Sequence, residues 1–248
     1  MVTPCCQRWT AHSKKHDGGE NIGLKKNPEP FKLFDCALIT LATGFRAINL
    51  RELAMGIRDA EQGSIYHHFW GRLLQPQFDE PEYNNDFASW AHRDLHDKTV
   101  AERLSMIDPS ELDSIEDLRE ELIEIIEMRM DETESAQYAI ADSQFHFLRS
   151  QMIVIPTGRQ VKQPEGLQDA LRDASAGCIF YHFIDSRRRT ESHHDDFTNW
   201  LAGFGDEYEV LCGLFSNIDP YFSSLQHVRD MLVEACEAGL KAVANGTA

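Results

Sequence analysis

What this chain lacks narrows its function before anything present does. No stretch approaches the roughly 18 consecutive apolar residues of a membrane span. The opening MVTPCCQRWTAHSKKHDGGE has no apolar centre of the kind a secretory signal carries. A cytoplasmic location without a membrane partner is therefore expected. The six cysteines form no C-x-x-C pair: Cys5-Cys6 are adjacent, and Cys36, Cys178, Cys212 and Cys236 are scattered among apolar residues. Buried free thiols are the reading, since free cysteine packs as a small hydrophobe. Basic residues are short, with 24 Lys and Arg against 41 Asp and Glu and a net charge of −17. A body this acidic repels nucleic acid, which is excluded as an expected partner. There is also no glycine-rich phosphate loop, no dinucleotide fingerprint, no G-x-S-x-G and no H-E-x-x-H.

What is present, above all, is a duplication. Residues 31–72 align without a gap on residues 145–186. Phe31 falls on Phe145, Thr43-Gly44 on Thr157-Gly158, and Arg58-Asp59-Ala60 on Arg172-Asp173-Ala174. Gly63-x-Ile65-x-x-His68-Phe69 falls on Gly177-x-Ile179-x-x-His182-Phe183. After a spacer four residues shorter in the second copy, Asp86-Phe87-x-x-Trp90 matches Asp196-Phe197-x-x-Trp200. Ile107-Asp108-Pro109 matches Ile218-Asp219-Pro220, and Ser114…Arg119…Leu122 matches Ser224…Arg229…Leu232. Order kept over about 100 residues specifies two related halves.

The local signals within each half read mostly as helix. Phe34, Leu38 and Leu41 follow helical spacing, as do Leu148, Met152 and Ile155, with Thr-Gly as a stop; Ile153-Val154-Ile155 also suits a short strand. Asn49-x-x-Glu52 is a capping box, and Pro164 suits a first helical turn. Gly63 and Gly177 sit where a helix would end in a left-handed residue. Asp86 and Asp196 read as N-caps, Asp108-Pro109 and Asp219-Pro220 as helix starts, and Ser114-x-x-Asp117 as the cap of a long last helix. The expected fold is all-α, a tandem duplication of a four-to-six-helix bundle packed with pseudo-twofold symmetry. Its expected parts are a flexible tail at 1–30, copies at 31–132 and 145–244, and a linker at 133–144. Lys14-Lys15 and Lys25-Lys26 in the tail could attract an acidic partner.

The candidate functional residues follow from that frame. His68 and His182 each border an apolar helix face. If the halves pack about a pseudo-twofold axis, the two imidazoles meet with Asp86 and Asp196 nearby, a donor set adequate for a divalent metal such as zinc, manganese or iron. Against this, His67 is replaced by Tyr181, and buried histidines satisfied by a carbonyl or carboxylate are common. His92 and His96 lie four apart on a predicted helix, and His193-His194 resemble a chelate only as a loop pair. Arg58 and Arg172 either reach an anion or pair with a neighbouring carboxylate near a helix C-terminus. Arg187, Arg188 and Arg189, found in the second copy alone, could clamp a phosphate or carboxylate. Trp90 and Trp200 are expected core anchors. The glutamates from Glu116 to Glu127 lie on an exposed helix face without the E-x-x-H pattern of a di-iron bundle.

N-P-x-P-F (Asn27 to Phe31), S-I-Y-x-H (Ser64 to His68), N-D-F-A-x-W (Asn85 to Trp90), I-D-P and S-I-x-D-L-R-E (Ser114 to Glu120) resemble a bacterial domain-of-unknown-function family. So does the run Y-H-F…R-R-R…D-D-F…W…G-F-G-x-E-Y…I-D-P-Y-F-S-S-L from Tyr181 to Leu225. The resemblance spans nearly all of 27–240 and implies no activity and no catalytic residue. Where relatives carry further histidines after S-I-Y-x-H, this chain has Phe69, Trp70 and Gly71, which weakens a metal site in the first half. The leading expectation is a binding, regulatory or scaffold module with a protein or small anionic partner. The competing one is a metal-dependent or phosphate-recognising enzyme with its site between the copies.

Overall fold

Each copy opens with a 17-residue strand, β1 (Phe31–Ala47) and β2 (Phe145–Val161), and the two pair antiparallel as a two-stranded ribbon. The computed structural model describes residues 28–75, 82–109, 112–190, 192–221 and 223–246. Most of the expected tail, with Cys5-Cys6 and both lysine pairs, lies outside the described residues. In the ribbon Leu38 stands opposite Met152, its own counterpart, so the pseudo-twofold axis passes between them. The all-α expectation is corrected here: the protein is mostly helical, and a two-stranded antiparallel ribbon joins the copies.

The helical reading failed because these strands lack clean alternation. Their ends are buried while their middles are half-exposed, so apolar residues fall at mixed spacings. Thr-Gly is a β-bulge and not a helix stop. Residues 43–45 oppose Phe147 alone, and residues 157–159 oppose Leu33. Gly44 and Gly158 take φ +82° and +73°, the left-handed region a bulge of this kind requires. Thr43 Oγ1 donates to the Phe147 carbonyl and Thr157 Oγ1 to that of Leu33, each at 2.6 Å, locking both bulges alike.

After β1 come α1 (Leu50–Asp59), α2 (Gln62–Trp70) with a 3₁₀ turn (Gly71–Leu74), α3 (Asp86–Arg93), α4 (Lys98–Ser105), α5 (Ile115–Glu132) and α6 (Glu134–Tyr138). After β2 come a 3₁₀ turn (Pro164–Gly166), α7 (Leu167–Arg172) and one helical run. That run consists of α8 (Ala176–Ile179), a π segment (Phe180–Asp185) and α9 (Ser186–Arg189). Then follow α10 (Asp196–Ala202), a 3₁₀ turn (Asp206–Tyr208), α11 (Glu209–Ser216) and α12 (Leu225–Ala244). Caps at Asn49, Ser114 and Ser224 form as their sequences predict. Pro109 and Pro220 open no helix, since α5 and α12 start at Ile115 and Leu225. The caps of α3 and α10 are Asn85 and Asp195, one residue earlier than expected.

The decisive feature is exchange. β1 packs under α8 and the π segment of the second copy, and β2 packs under α2 of the first. Buried residues from both copies accordingly form one continuous core. Gly63 and Gly177 do not end helices; they lie inside the first turns of α2 and α8. A Cβ on Gly177 would overlap the Cys36 carbonyl and the Asp35 carboxylate, and one on Gly63 would sit 3.1 Å from the carbonyl of Ser150, the counterpart of Cys36. Both glycines therefore let a helix touch the other copy's strand. Gly177→Ala is expected to destabilise the protein by about 1–3 kcal/mol through overpacking. Gly213→Ala, exposed in α11 with open space around it, is expected to stabilise by about 0.5–1 kcal/mol. Urea unfolding of the two variants measures the contrast.

Candidate functional site

The repeated histidines grip the exchanged strands. His68 Nε2 accepts the backbone N–H of Leu148 in β2 at 3.0 Å, and its Nδ1 bonds Asp86 Oδ2 at 3.0 Å. His182 Nε2 accepts the N–H of Phe34 in β1 at 2.8 Å, and its Nδ1 bonds Asp196 Oδ2 at 2.7 Å. Since Nε2 accepts, the ring proton resides on Nδ1 and is donated to the carboxylate. Asp86 and Asp196 are available for this because their helices are capped by the preceding residue. Phe34 and Leu148 occupy equivalent places on the two outer edges of the ribbon, where unpaired N–H groups would otherwise face outward.

The other repeated aromatics extend the same grip. Phe31 packs on His182, Phe197 and Trp200 with ring centroids 4.9, 5.2 and 5.6 Å away; Phe145 packs on His68, Phe87 and Trp90 at 4.6, 5.2 and 5.8 Å. Trp200 Nε1 donates to the Glu29 carbonyl and Trp90 Nε1 to that of Ser143, the residues leading into β1 and β2. The tryptophans are buried anchors, as expected, and each anchors the other copy's strand.

His68 and His182 do not meet. Ala42, the partner of Leu148, lies eight residues along the strand from Phe34, which is about 26 Å at the usual strand rise. A symmetric two-histidine, two-aspartate centre is thereby overturned. What the structure offers instead belongs to the first copy alone. His67, His68 and Asp86 each place one donor atom within 4.8 Å of the others, the one such cluster among the described residues. They floor an open cleft of about 550 Å³, whose walls include Arg72, Arg93, Asp94 and the first residues of β2. His67 Nδ1 lies 2.6 Å from Ser150 Oγ, and Arg72 Nε lies 3.6 Å from Asp86 Oδ1. Burial first, then the neighbouring His68, push the His67 pKa below its ordinary 6.5, against the pull of Asp86. A histidine held neutral in this way is fit to ligate a cation. His67 was legible only as the residue its copy replaces by Tyr181.

The second copy closes the equivalent place. Arg189 Nη2 donates to Asp196 Oδ2 at 2.5 Å while its guanidinium lies 4.1 Å over the Tyr181 ring. Arg188 and Arg189 both reach Asp185, a buried carboxylate that also accepts from Tyr66 Oη of the first copy at 3.0 Å. Arg187 lies 4.4 Å over the Phe183 ring. The three arginines thus form no common clamp. Arg58 pairs with Glu127 at 2.7 Å and Arg172 with Asp169 at 2.7 Å, both exposed surface pairs. α3 ends at Arg93 and His96 takes φ 58°, so His92 and His96 share no helix face; they pair with Glu82 and Asp142. His193 faces Asp113 at 4.0 Å. Cys36, Cys178 and Cys236 are buried free thiols and Cys212 is half-buried. Among the described residues no helix is long and apolar enough to cross a membrane.

Fold and site define a mostly helical, internally duplicated protein with exchanged strands and one His-His-Asp cluster capable of holding a metal ion. The chain belongs to the family of unknown function DUF5752, whose profile matches residues 28–237, in agreement with the resemblance to a domain of unknown function. It is similar to OrfY from Thermoproteus tenax at 30% identity, with a TM-score of 0.76 over 89% of this chain and 100% of that one. No curated protein matches.

Two measurements test the assignments. His182→Ala strands the Phe34 N–H while Asp196 keeps Arg189 as a partner, and is expected to cost about 1–3 kcal/mol for the donor left unpaired. Adding Asp196→Ala to it is expected to cost less than Asp196→Ala alone, which a double-mutant cycle in urea reads. Because the His67 pKa is lowered on folding, the unfolded chain binds the extra proton first. Stability is full above 6.5 and falls as the pH drops below it toward the folded value; His67→Gln is expected to flatten that fall.

Proposed function

We propose that the first-copy cleft is the functional site, and that the protein acts there as a divalent-cation-dependent enzyme on an anionic, phosphate-class substrate. The observation carrying this reading is the contrast between copies. Both keep the histidine–aspartate latch, but only the first adds a second histidine and leaves its aspartate facing an open cleft.

His67 and Asp86 are the ligands. Ser150 can accept from His67 Nδ1–H, which leaves the Nε2 lone pair for the cation. His68 cannot serve equally well, because a metal on Nδ1 would move the ring proton to Nε2, against the Leu148 N–H. It acts as a positioning residue that holds Asp86 through Oδ2. Two protein ligands suit a cation that completes its shell with water and substrate phosphate oxygens. Such a cation would supply Lewis-acid charge at the phosphate. Arg72 and Arg93 on the cleft wall provide the remaining positive charge toward an anion.

Titration of the purified protein with Mn²⁺ and Zn²⁺ by calorimetry, with and without inorganic phosphate, tests this. Saturable binding is expected, strengthened by phosphate and weakened at least ~10-fold by His67→Tyr, which installs the second copy's residue, or by Asp86→Asn. Binding unaffected by His67→Tyr would sink the proposal. A scaffold role has one observation in its favour, the half-exposed apolar side chains Ile39, Leu41, Ile153, Val154 and Ile155 on the ribbon. A chain that binds neither cation nor phosphate returns to that reading.

A further inference from the structure

Both copies carry the Arg-Asp-Ala motif at the end of α1 and α7, yet its aspartates meet different neighbours. In the second copy Arg159, on β2, donates through Nη2 to Asp173 Oδ2 at 3.2 Å and through Nη1 to the Asp173 carbonyl at 3.3 Å. The first copy has Phe45 where the second has Arg159. Phe45 packs its ring edge-on against Phe147, with centroids 5.5 Å apart. Asp59, the counterpart of Asp173, thus loses its cation, and the adjacent Arg58 is taken by Glu127. Among the described residues the Asp59 carboxylate has no ion-pair or hydrogen-bond partner.

Asp59 borders a recess of about 210 Å³, well above the roughly 30 Å³ of a single water. Phe45, Phe147, Glu61 and Ser64 also line it, and no basic residue does. Glu61 is tied to Arg149 at 2.7 Å, so Asp59 is the uncompensated charge. The Phe45 ring is 42% exposed and leaves aromatic surface in the same recess. A carboxylate and an aromatic ring each attract a cation, the first by charge and the second by its negative face. Ser64 is fully buried in the lining, and its hydroxyl has no hydrogen-bond partner among the described residues. Folded proteins rarely leave a buried polar atom unpaired, so this hydroxyl is a second mark of a missing group. The counterpart of Ser64 is Cys178, a buried thiol without that demand.

We infer that this recess binds the guanidinium group of a ligand, set against Asp59 as the Arg159 guanidinium is set against Asp173. A guanidinium presents five N–H donors in a planar fork that matches a carboxylate, and its flat face stacks on an aromatic ring. Asp59 supplies the carboxylate, Phe45 the ring, and Ser64 an acceptor for a further N–H. An alkylguanidine and an arginine on another chain carry the same group. Asp59 and Glu61 repel anions, so this place differs in kind from the cation cleft, whose wall carries Arg72 and Arg93.

Ligand-observed NMR titration of the full chain tests the inference with agmatine and N-acetylarginine amide. Salt at about 0.15 M screens diffuse attraction to an acidic body, and N-acetylcitrulline amide is the uncharged control. At least one guanidine is expected to bind saturably, and the citrulline compound not at all. Tighter binding of agmatine identifies a free alkylguanidine as the ligand; tighter binding of acetylarginine amide identifies an arginine presented by a partner. Asp59→Asn is expected to weaken binding ~5-fold or more. Phe45→Arg, which installs the second copy's residue, is expected to abolish it by setting the protein's own guanidinium on Asp59. Both side chains are exposed, and circular dichroism verifies that the variants fold. His67→Tyr is expected to leave the affinity unchanged, so the outcome is independent of the cation cleft. Absence of saturable binding by both guanidines overturns the inference, as does affinity unchanged in Asp59→Asn or equal affinity for the citrulline control.

Discussion

Everything in this molecule depends on one hydrogen-bond chain used twice, in which a carboxylate orients an imidazole and the imidazole accepts a strand N–H. The strand belongs to the other copy. An edge N–H on a long two-stranded ribbon would otherwise invite pairing with another chain, and the latch turns that liability into the joint between the halves. Because each half lends its strand and receives its partner's, neither core closes alone. The glycines beside the latch and the tryptophans beyond it serve the same joint, one by allowing approach and the other by holding the lead-in carbonyl.

Duplication first makes two equal places, and the differences between them locate chemistry. The shared latch is structural: both imidazole nitrogens are engaged, so neither His68 nor His182 is available as a general base. The divergence starts one residue earlier, at His67 and Tyr181. A neutral, buried second histidine and an aspartate on an open cleft make a place for a cation. In the other half an arginine stacked on the tyrosine fills the corresponding place. Its two neighbours, Arg187 and Arg188, line a recess at the interface between the copies.

Much of this was legible from the chain. The repeat, the caps at Asn49, Ser114 and Ser224, the tryptophan anchors and the pairing of Arg58 with a neighbouring carboxylate all follow from local rules. The strands were legible only as the short-strand alternative at Ile153-Val154-Ile155, because half-burial in their middles blurs the period of two and leaves apolar residues at helix-like spacing. The bulge glycines, Gly44 and Gly158, look like helix stops for the same physical reason: both roles need a positive φ. Gly63 and Gly177 mark close approach, a property of two segments more than 80 residues apart that no local pattern contains. His67 was weighed only against a paired metal centre, because it fails to match its counterpart Tyr181.

The sequence by itself determined that this protein is built twice, which residues the two builds share, and where some helices start, as at Asn49 and Ser114. These are matters of local conformational preference and of comparison along one chain. Only the tertiary structure decided that the copies exchange strands, that the paired histidines are joints some 26 Å apart, and that the donor cluster is confined to one half. Those outcomes rest on which backbone N–H each imidazole meets, and that is set by strand pairing across the whole chain.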